Sequence, residues 1–161
     1  MKKAGAFEVA YPVDRTKLKR VGITCVSFNL RKASRLVTRH YDERMEPSGL
    51  RSTQFAILAA IGRRKGISLS ALADLLVMDR TTLTRNLKPL EKMGYVGFAA
   101  PTDRRRRELE LTPVGWEALG KAYPYWESAQ TEFLKEIGEE NSRGLLKNIW
   151  RFMYGKRFLD A

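Results

Sequence analysis

Apolar residues recur at every third or fourth position over most of the chain, a spacing that predicts a mainly helical fold. The first such segment, from Val13 to Glu46, indicates one long amphipathic helix that stops at the helix-breaking run Pro47-Ser48-Gly49. A second helix is predicted from Ser52 to Arg64. The apolar positions of the long first helix are Ile23, Val26, Leu30, Ala33, Val37 and Tyr41.

The centre of the chain predicts two short helices joined by a tight turn at Val77-Met78. Ser68 and Asp79 each precede one of these helices, and both residue types are favoured N-caps because their side chains accept from backbone amides. Gly94 supplies the left-handed residue that commonly follows a helix. Pro89 lies inside the second helix, where its missing amide predicts a kink or a loosened last turn.

Two strands are predicted after Gly94, Tyr95–Ala99 and Arg107–Thr112, the second of which alternates acidic residues with leucines. Helical spacing then returns, with a bend expected at Pro124 and a final helix from Ser142 to Tyr154. The sequence therefore predicts a mainly α fold with a small β-hairpin and helices at both ends of the chain.

The helix after Asp79 separates its side chains by chemistry. At 100° per residue, Leu87 and Leu90 lie within about 40° of Leu83, which gives the helix an apolar face that can dock against the protein. The opposite side carries only hydrogen-bonding and positively charged groups, as a helix in the DNA major groove requires. These residues are Thr81, Arg85, Lys88 and Lys92, with Thr84 at the flank.

Charge favours a polyanionic partner. The 161 residues include 30 Lys and Arg against 18 Asp and Glu, a formal net charge of +12. Such a surplus indicates nucleic acid or an anionic membrane, although a merely basic surface is the alternative. No stretch approaches the roughly 20 apolar residues of a membrane span, and the N-terminus lacks the apolar core of a signal peptide.

The chain has one cysteine, Cys25, and one histidine, His40. Cys25 cannot form an internal disulfide, so a reducing cytoplasm is the expected location. A zinc cluster cannot be assembled from these two residues, and no metal or cofactor is expected. We expect His40 to stabilise the end of the first helix or to lie in solvent.

Four consecutive arginines, Arg104–Arg107, lie between the two predicted strands, and Arg107 is also the first residue of the second strand. Mutual repulsion predicts that they form a solvated hairpin tip. Arginines are attracted to the negative potential of a narrow minor groove, and flanking phosphates can hold the remaining guanidinium groups. Asp103 can orient Arg105 by a charge-assisted hydrogen bond.

Several short motifs occur together in a characteristic order, each unspecific alone. They are Gly49-Leu50, Gln54, Leu72-Ala73, Asp79-Arg80-Thr81-Thr82-Leu83-Thr84-Arg85, Leu90-Glu91, Gly94-Tyr95-Val96, Asp103-Arg104-Arg105, Leu111-Thr112 and Gly115. In this order and spacing the chain resembles the MarR family of winged helix-turn-helix transcriptional regulators. The resemblance extends over about residues 20–155 and is densest over 50–115.

The resemblance implies a triangular homodimer that binds a palindromic DNA site, with a small-molecule effector that often weakens binding. It divides the chain into a loose arm (1–12), a dimerisation helix (13–47), a winged helix-turn-helix domain (50–113) and C-terminal dimerisation helices (114–161). The second short helix enters the major groove and the hairpin wing reaches the minor groove. The expected DNA-binding residues are Arg80, Thr81, Thr82, Thr84, Arg85, Lys88, Lys92, Asp103, Arg104, Arg105, Arg106 and Arg107.

An effector site is a further expectation, since relatives bind aromatic acids between the dimerisation helices and the winged domain. Arginines beside an aromatic wall suit an aromatic carboxylate. The alternative is a solvated basic stripe and a dimer core. The candidate residues are Arg31, Arg35, Arg39, Trp116, Tyr123 and Trp126. Redox-sensing relatives have a reactive cysteine in the first helix, but counting from Tyr41 places Ser27 there, so Cys25 is expected to be an ordinary thiol.

These observations predict a homodimeric, sequence-specific DNA-binding regulator, a repressor released by a small molecule. The alternative is a nonspecific architectural or RNA-binding winged-helix protein without an effector. An enzyme is not expected, because the sequence has no nucleophile elbow, phosphate loop or metal cluster.

Overall fold

The computed structural model describes residues 14–99 and 108–155. The chain divides into two compact units, residues 1–37 and residues 38–161. The described part is mainly helical with a small antiparallel sheet, as the apolar spacing predicted.

The first unit contains helix α1 (Arg15–Thr24) and the first part of helix α2 (Val26–Met45). The prediction of one uninterrupted helix is wrong at Cys25, which has extended backbone angles (φ −74°, ψ 109°). The side chain of Asn29 accounts for the interruption, because its Nδ2 donates to the carbonyl oxygens of Gly22 (3.2 Å) and Cys25 (3.0 Å). The bond to Gly22 satisfies a carbonyl group that the end of α1 leaves without a helical partner. The Cys25 carbonyl also accepts from the Asn29 amide at 3.0 Å, so it begins α2.

The second unit begins within α2, which ends in a 3-10 turn at Glu46–Ser48. Gly49 follows with φ +74°, so the predicted stop is confirmed. Helix α3 comprises Ser52–Gly62. Asp42 binds its first residue, since the Asp42 Oδ1 accepts from the Ser52 amide at 2.7 Å and from the Ser52 hydroxyl at 2.6 Å. The predicted second helix is confirmed, and the buried side chains of Phe55, Leu58 and Ile61 form its inner face.

The helix-turn-helix consists of α4 (Leu69–Leu75) and α5 (Arg80–Lys92), preceded by the short strand β1 (Ile67–Ser68). Both predicted N-caps are confirmed: Ser68 accepts from the Ala71 amide at 3.2 Å, and Asp79 accepts from the Thr82 amide at 2.8 Å. Helix α5 continues past Pro89, whose carbonyl accepts from the Met93 amide at 3.0 Å, so its last turn is not lost.

Three strands form an antiparallel sheet in the order β1-β3-β2, with β2 at Val96–Phe98 and β3 at Glu108–Leu111. Val96 pairs with Leu111, and Ile67 pairs with Leu109. The hairpin strands are confirmed, whereas β1 was not predicted. The hairpin tip, residues 100–107, lies outside the described residues.

Helices α6 (Pro113–Ile137) and α7 (Glu139–Tyr154) complete the unit, and α7 begins earlier than the predicted Ser142. Thr112 connects the hairpin to α6, since its Oγ1 accepts from the Gly115 amide (3.0 Å) and donates to the Gly94 carbonyl (2.6 Å). Gly115 lies so close to the backbone just before β2 that a Cβ there would be 2.0 Å from the Tyr95 carbonyl oxygen. This close approach explains why glycine occupies the position.

The hydrophobic core lies between α3, the helix-turn-helix, the sheet and α6. It holds α5 against the rest of the unit by one face and leaves the other face outward. The fully buried large side chains are Met45, Ile57, Leu58, Ile61, Leu72, Leu83 and Leu90. Among the described residues, no helix is both long enough and apolar enough to cross a membrane.

Candidate nucleic-acid interface

Helix α5 has the two faces that its sequence predicted. The side chains of Leu83, Leu87 and Leu90 are 0%, 2% and 0% exposed, so the apolar face is completely buried in the core. The opposite face is exposed and forms a shallow depression on the protein surface. This depression is lined by Arg80, Thr81, Thr84, Arg85 and Lys88, and the exposed Lys92 follows one turn later.

The first turn of α5 is fixed by Asp79. Its carboxylate accepts from the Thr82 amide at 2.8 Å and from the Thr82 hydroxyl at 2.7 Å. These bonds, the hydroxyl bond first, lower the pKa of Asp79 below its ordinary value. Thr82, predicted as a DNA contact, is half-buried and its hydroxyl proton is engaged in this cap.

Arg80 joins the two helices of the helix-turn-helix. Its Nη2 donates to the hydroxyl oxygen of Ser70 on α4 at 2.6 Å. The guanidinium group has five N–H donors, so others remain for a phosphate. Ser70 was missed by the sequence analysis, because no spacing rule relates a residue on one helix to a residue ten positions later on another.

Arg85 and Lys88 point outward and form no hydrogen bond or ion pair with the described part of the chain. The ion pairs found among the described residues lie on other helices, for example Arg44 with Glu132 and Lys121 with Glu117. A planar guanidinium group without internal partners can bind the O6 and N7 atoms of guanine or a phosphate. The outer face of α5 therefore presents side chains that can bind DNA bases and phosphates.

The predicted wing residues Asp103, Arg104, Arg105, Arg106 and Arg107 lie outside the described residues. The described strands lead directly to them, since the Ala99 amide donates to the Glu108 carbonyl at 2.8 Å. The hairpin is thus paired up to the two residues that border the arginine-rich tip.

The predicted effector residues fall into both units. Arg31 and Arg35 are exposed on α2 in the first unit. In the second unit Arg39 is exposed, Trp116 packs beside Gly62, and Tyr123 lies 5.4 Å from Trp126, ring centre to ring centre. Trp126 also stacks on Phe55 at 5.7 Å and belongs to the edge of the core. Two of the predicted aromatic residues are therefore neighbours.

Of the two expectations for His40, a position in solvent is wrong, because the side chain is half-buried against α6. Its Nε2 lies 3.0 Å from the carbonyl oxygen of Ala129 on α6, and because a carbonyl only accepts, Nε2 carries the proton. The ring also lies against Tyr41 and Phe133. Tyr41 donates to the Gln130 side chain, and burial raises the pKa of its phenol. These residues hold the end of α2 against α6.

Comparison with known proteins identifies the family. The sequence model of the MarR family matches residues 48–106. The transcriptional regulator HosA of Escherichia coli O111:H- is 31% identical over 105 residues, which cover 65% of this chain and 78% of HosA. The chain belongs to the MarR family. It is therefore a DNA-binding transcriptional regulator of the winged helix type.

Solved structures of MarR-family proteins have the same fold. The Mycobacterium tuberculosis transcriptional regulator MosR, crystallised in complex with DNA, is 36% identical, with a TM-score of 0.69 over 83% of this chain and 99% of MosR. BpsR of Bordetella bronchiseptica is 19% identical, with a TM-score of 0.71 over 80% of this chain and 93% of BpsR. The DNA binding of BpsR is regulated by 6-hydroxynicotinic acid.

Proposed function

We propose that this MarR-family regulator is a cytoplasmic homodimer that represses transcription from a palindromic operator and is released by a small aromatic acid. The observation that carries the DNA-binding part is the division of α5 into a buried leucine face and an exposed face of threonine, arginine and lysine. This face enters the major groove, and the arginine-rich hairpin tip reaches the adjacent minor groove. MosR, a relative of more than one-third identity, has been crystallised on DNA.

Exposed apolar side chains support the homodimer. In the single chain, Phe152 on α7 and Ile23 in the first unit are each 80% exposed. Exposed apolar side chains in such number favour association, and closed two-fold symmetry is its commonest form. The exposed apolar residues of α7 are Leu145, Leu146, Trp150, Phe152 and Met153. Those of the first unit are Leu18, Val21, Ile23, Val26, Phe28, Leu30 and Leu36.

Selection of bound duplexes from a random DNA pool tests specificity and symmetry together. We expect a palindromic consensus whose half-sites lie about 34 Å, or one helical turn, apart. Sedimentation of the free protein and of the complex gives the number of chains. Uniform coating of any duplex would instead support the nonspecific architectural alternative, and preferential binding of RNA would support the RNA-binding one.

The effector part of the proposal is supported by the adjacent rings of Tyr123 and Trp126, and the exposed Arg39 belongs to the same unit. BpsR, whose DNA binding is regulated by 6-hydroxynicotinic acid, provides a precedent for a ligand of this chemistry. Such a ligand acts only by binding the DNA-competent and DNA-incompetent dimers with different affinities.

A small series of aromatic acids, including salicylate and 6-hydroxynicotinate, tests this part. We expect one of them to raise the melting temperature and to weaken binding to the selected operator. The variant Trp126→Leu should lose both effects, whereas Tyr125→Leu, on the same helix, serves as the matched control. Unchanged melting and unchanged DNA binding with the whole series would contradict the effector proposal and leave the operator proposal intact.

A further inference from the structure

Two threonine hydroxyl groups of α5 are already engaged within the helix. The Thr82 hydroxyl donates to the carboxylate of Asp79 at 2.7 Å, and the Thr84 hydroxyl donates to the backbone carbonyl of Arg80 at 2.7 Å. A hydroxyl group has a single hydrogen to donate. Neither threonine can therefore donate to a DNA base without first breaking a bond inside the protein.

Thr84 nevertheless faces the surface that would meet DNA. It is exposed and lines the same depression as Arg85 and Lys88, whereas Thr82 is half-buried. The internal bond turns the oxygen branch of the Thr84 side chain toward the preceding helical turn. The methyl branch is thus the group that Thr84 offers outward.

In the major groove, the partner of a threonine methyl group is the C5 methyl group of thymine. We propose that Thr84 recognises a thymine in each operator half-site by methyl-to-methyl contact and not by a hydrogen bond from its hydroxyl. This inference rests on the proposed function and specifies one base of the DNA it binds. Arg85, whose guanidinium group is without internal partners in the described part of the chain, supplies hydrogen-bond donors at the next position of the helix.

The test uses the operator obtained by selection and replaces each thymine of a half-site in turn by deoxyuridine, which lacks only the C5 methyl group. The affinity of each duplex is measured by fluorescence anisotropy with the full-length protein. We expect one thymine position at which the affinity falls about fourfold when one half-site is changed, and about 15-fold when both are, which is the effect of one buried methyl group.

Two variants separate the methyl group from the hydroxyl group. Thr84→Val keeps the methyl branch and removes the hydroxyl, so it should retain the preference for thymine over deoxyuridine. Thr84→Ser keeps the hydroxyl and removes the methyl branch, so the ratio of its affinities for the thymine and deoxyuridine duplexes should fall to about one. Thr131→Ser, at an exposed position on α6 away from the DNA-facing surface, is the matched control and should keep the preference. Each ratio is measured within one protein, so a change in folding stability cancels.

The inference is overturned if no thymine is methyl-sensitive in the unmodified protein, if Thr84→Val loses the preference, or if Thr84→Ser keeps it. A hydroxyl that donates to thymine O4 would instead give the first result, because deoxyuridine keeps that oxygen and would bind as well as thymine. Failure of the selection to yield any consensus overturns the proposed function and this inference with it. A consensus without a methyl-sensitive thymine overturns the inference alone.

Discussion

Replacing Arg85 with alanine tests the proposed DNA-contacting face of α5 without disturbing the fold. The side chain is exposed and forms no hydrogen bond or ion pair with the described residues, so its removal should change the free energy of unfolding by less than about 0.5 kcal/mol. A bidentate contact between arginine and guanine contributes about 1–3 kcal/mol of discrimination. We therefore expect the operator affinity to fall by about 5- to 150-fold per half-site.

The assay compares binding of the selected operator with binding of a scrambled duplex over a series of salt concentrations. The operator should lose far more affinity than the scrambled duplex. Arg85→Lys should lose most of the same preference, because lysine keeps the charge but not the planar fork. Arg143→Ala is the control for removal of a positive charge elsewhere, since Arg143 is 79% exposed on α7.

Equal weakening on every duplex would refute the base-reading role of Arg85. In that case the slope of log affinity against log salt would become shallower by about 0.9 for each phosphate that the variant no longer neutralises. Arg85 would then be a phosphate contact, and recognition would have to come from other residues of the helix.

Three further predictions test the packing and the cap that position α5. Leu87→Ala should lower the free energy of unfolding in urea by about 2–5 kcal/mol, and a smaller decrease would contradict complete burial. Gly115→Ala should lower the free energy of unfolding by about 1–3 kcal/mol or more, because the new Cβ would clash with the Tyr95 backbone. Gly120→Ala, where a Cβ would meet no neighbouring atom, should raise the free energy of unfolding by about 0.5–1 kcal/mol. Asp79→Ala should lower Tm at neutral pH. Because the folded pKa of Asp79 is depressed, this difference should vanish as the pH falls below 3.8, and a pH-independent difference would contradict the cap.

Local chemistry made the helix-turn-helix predictable. The N-caps Ser68 and Asp79 and the left-handed Gly94 are determined by residue types that satisfy or reverse the backbone at helix ends. The spacing of three leucines predicted which face of α5 is buried. These features depend on neighbours in the sequence, so periodicity and capping rules were sufficient.

Features that depend on distant or tertiary partners were not predictable in this way. The apolar spacing continues across Cys25, so it could not reveal that Asn29 ends α1. Strand β1 has only two residues, too few for an alternating pattern. It forms because it pairs with strand β3, which is distant in the sequence. His40 was misjudged because its partner, the Ala129 carbonyl, is 89 residues away. The effector residues and the hairpin tip remain predictions from the sequence.

The face of α5 that stabilises the fold and the face that we propose recognises DNA are opposite faces of the same helix. The leucine face determines where the helix lies, and any change there alters the fold. On the outer face, Arg85 and Lys88 have no internal partners among the described residues, so they can change without disturbing the core. Arg80 is the exception, since its bond to Ser70 couples the outer face to α4. Changes at Thr84 and Arg85 should therefore alter operator preference alone, whereas changes at Arg80 should alter affinity for all DNA through the orientation of the helix.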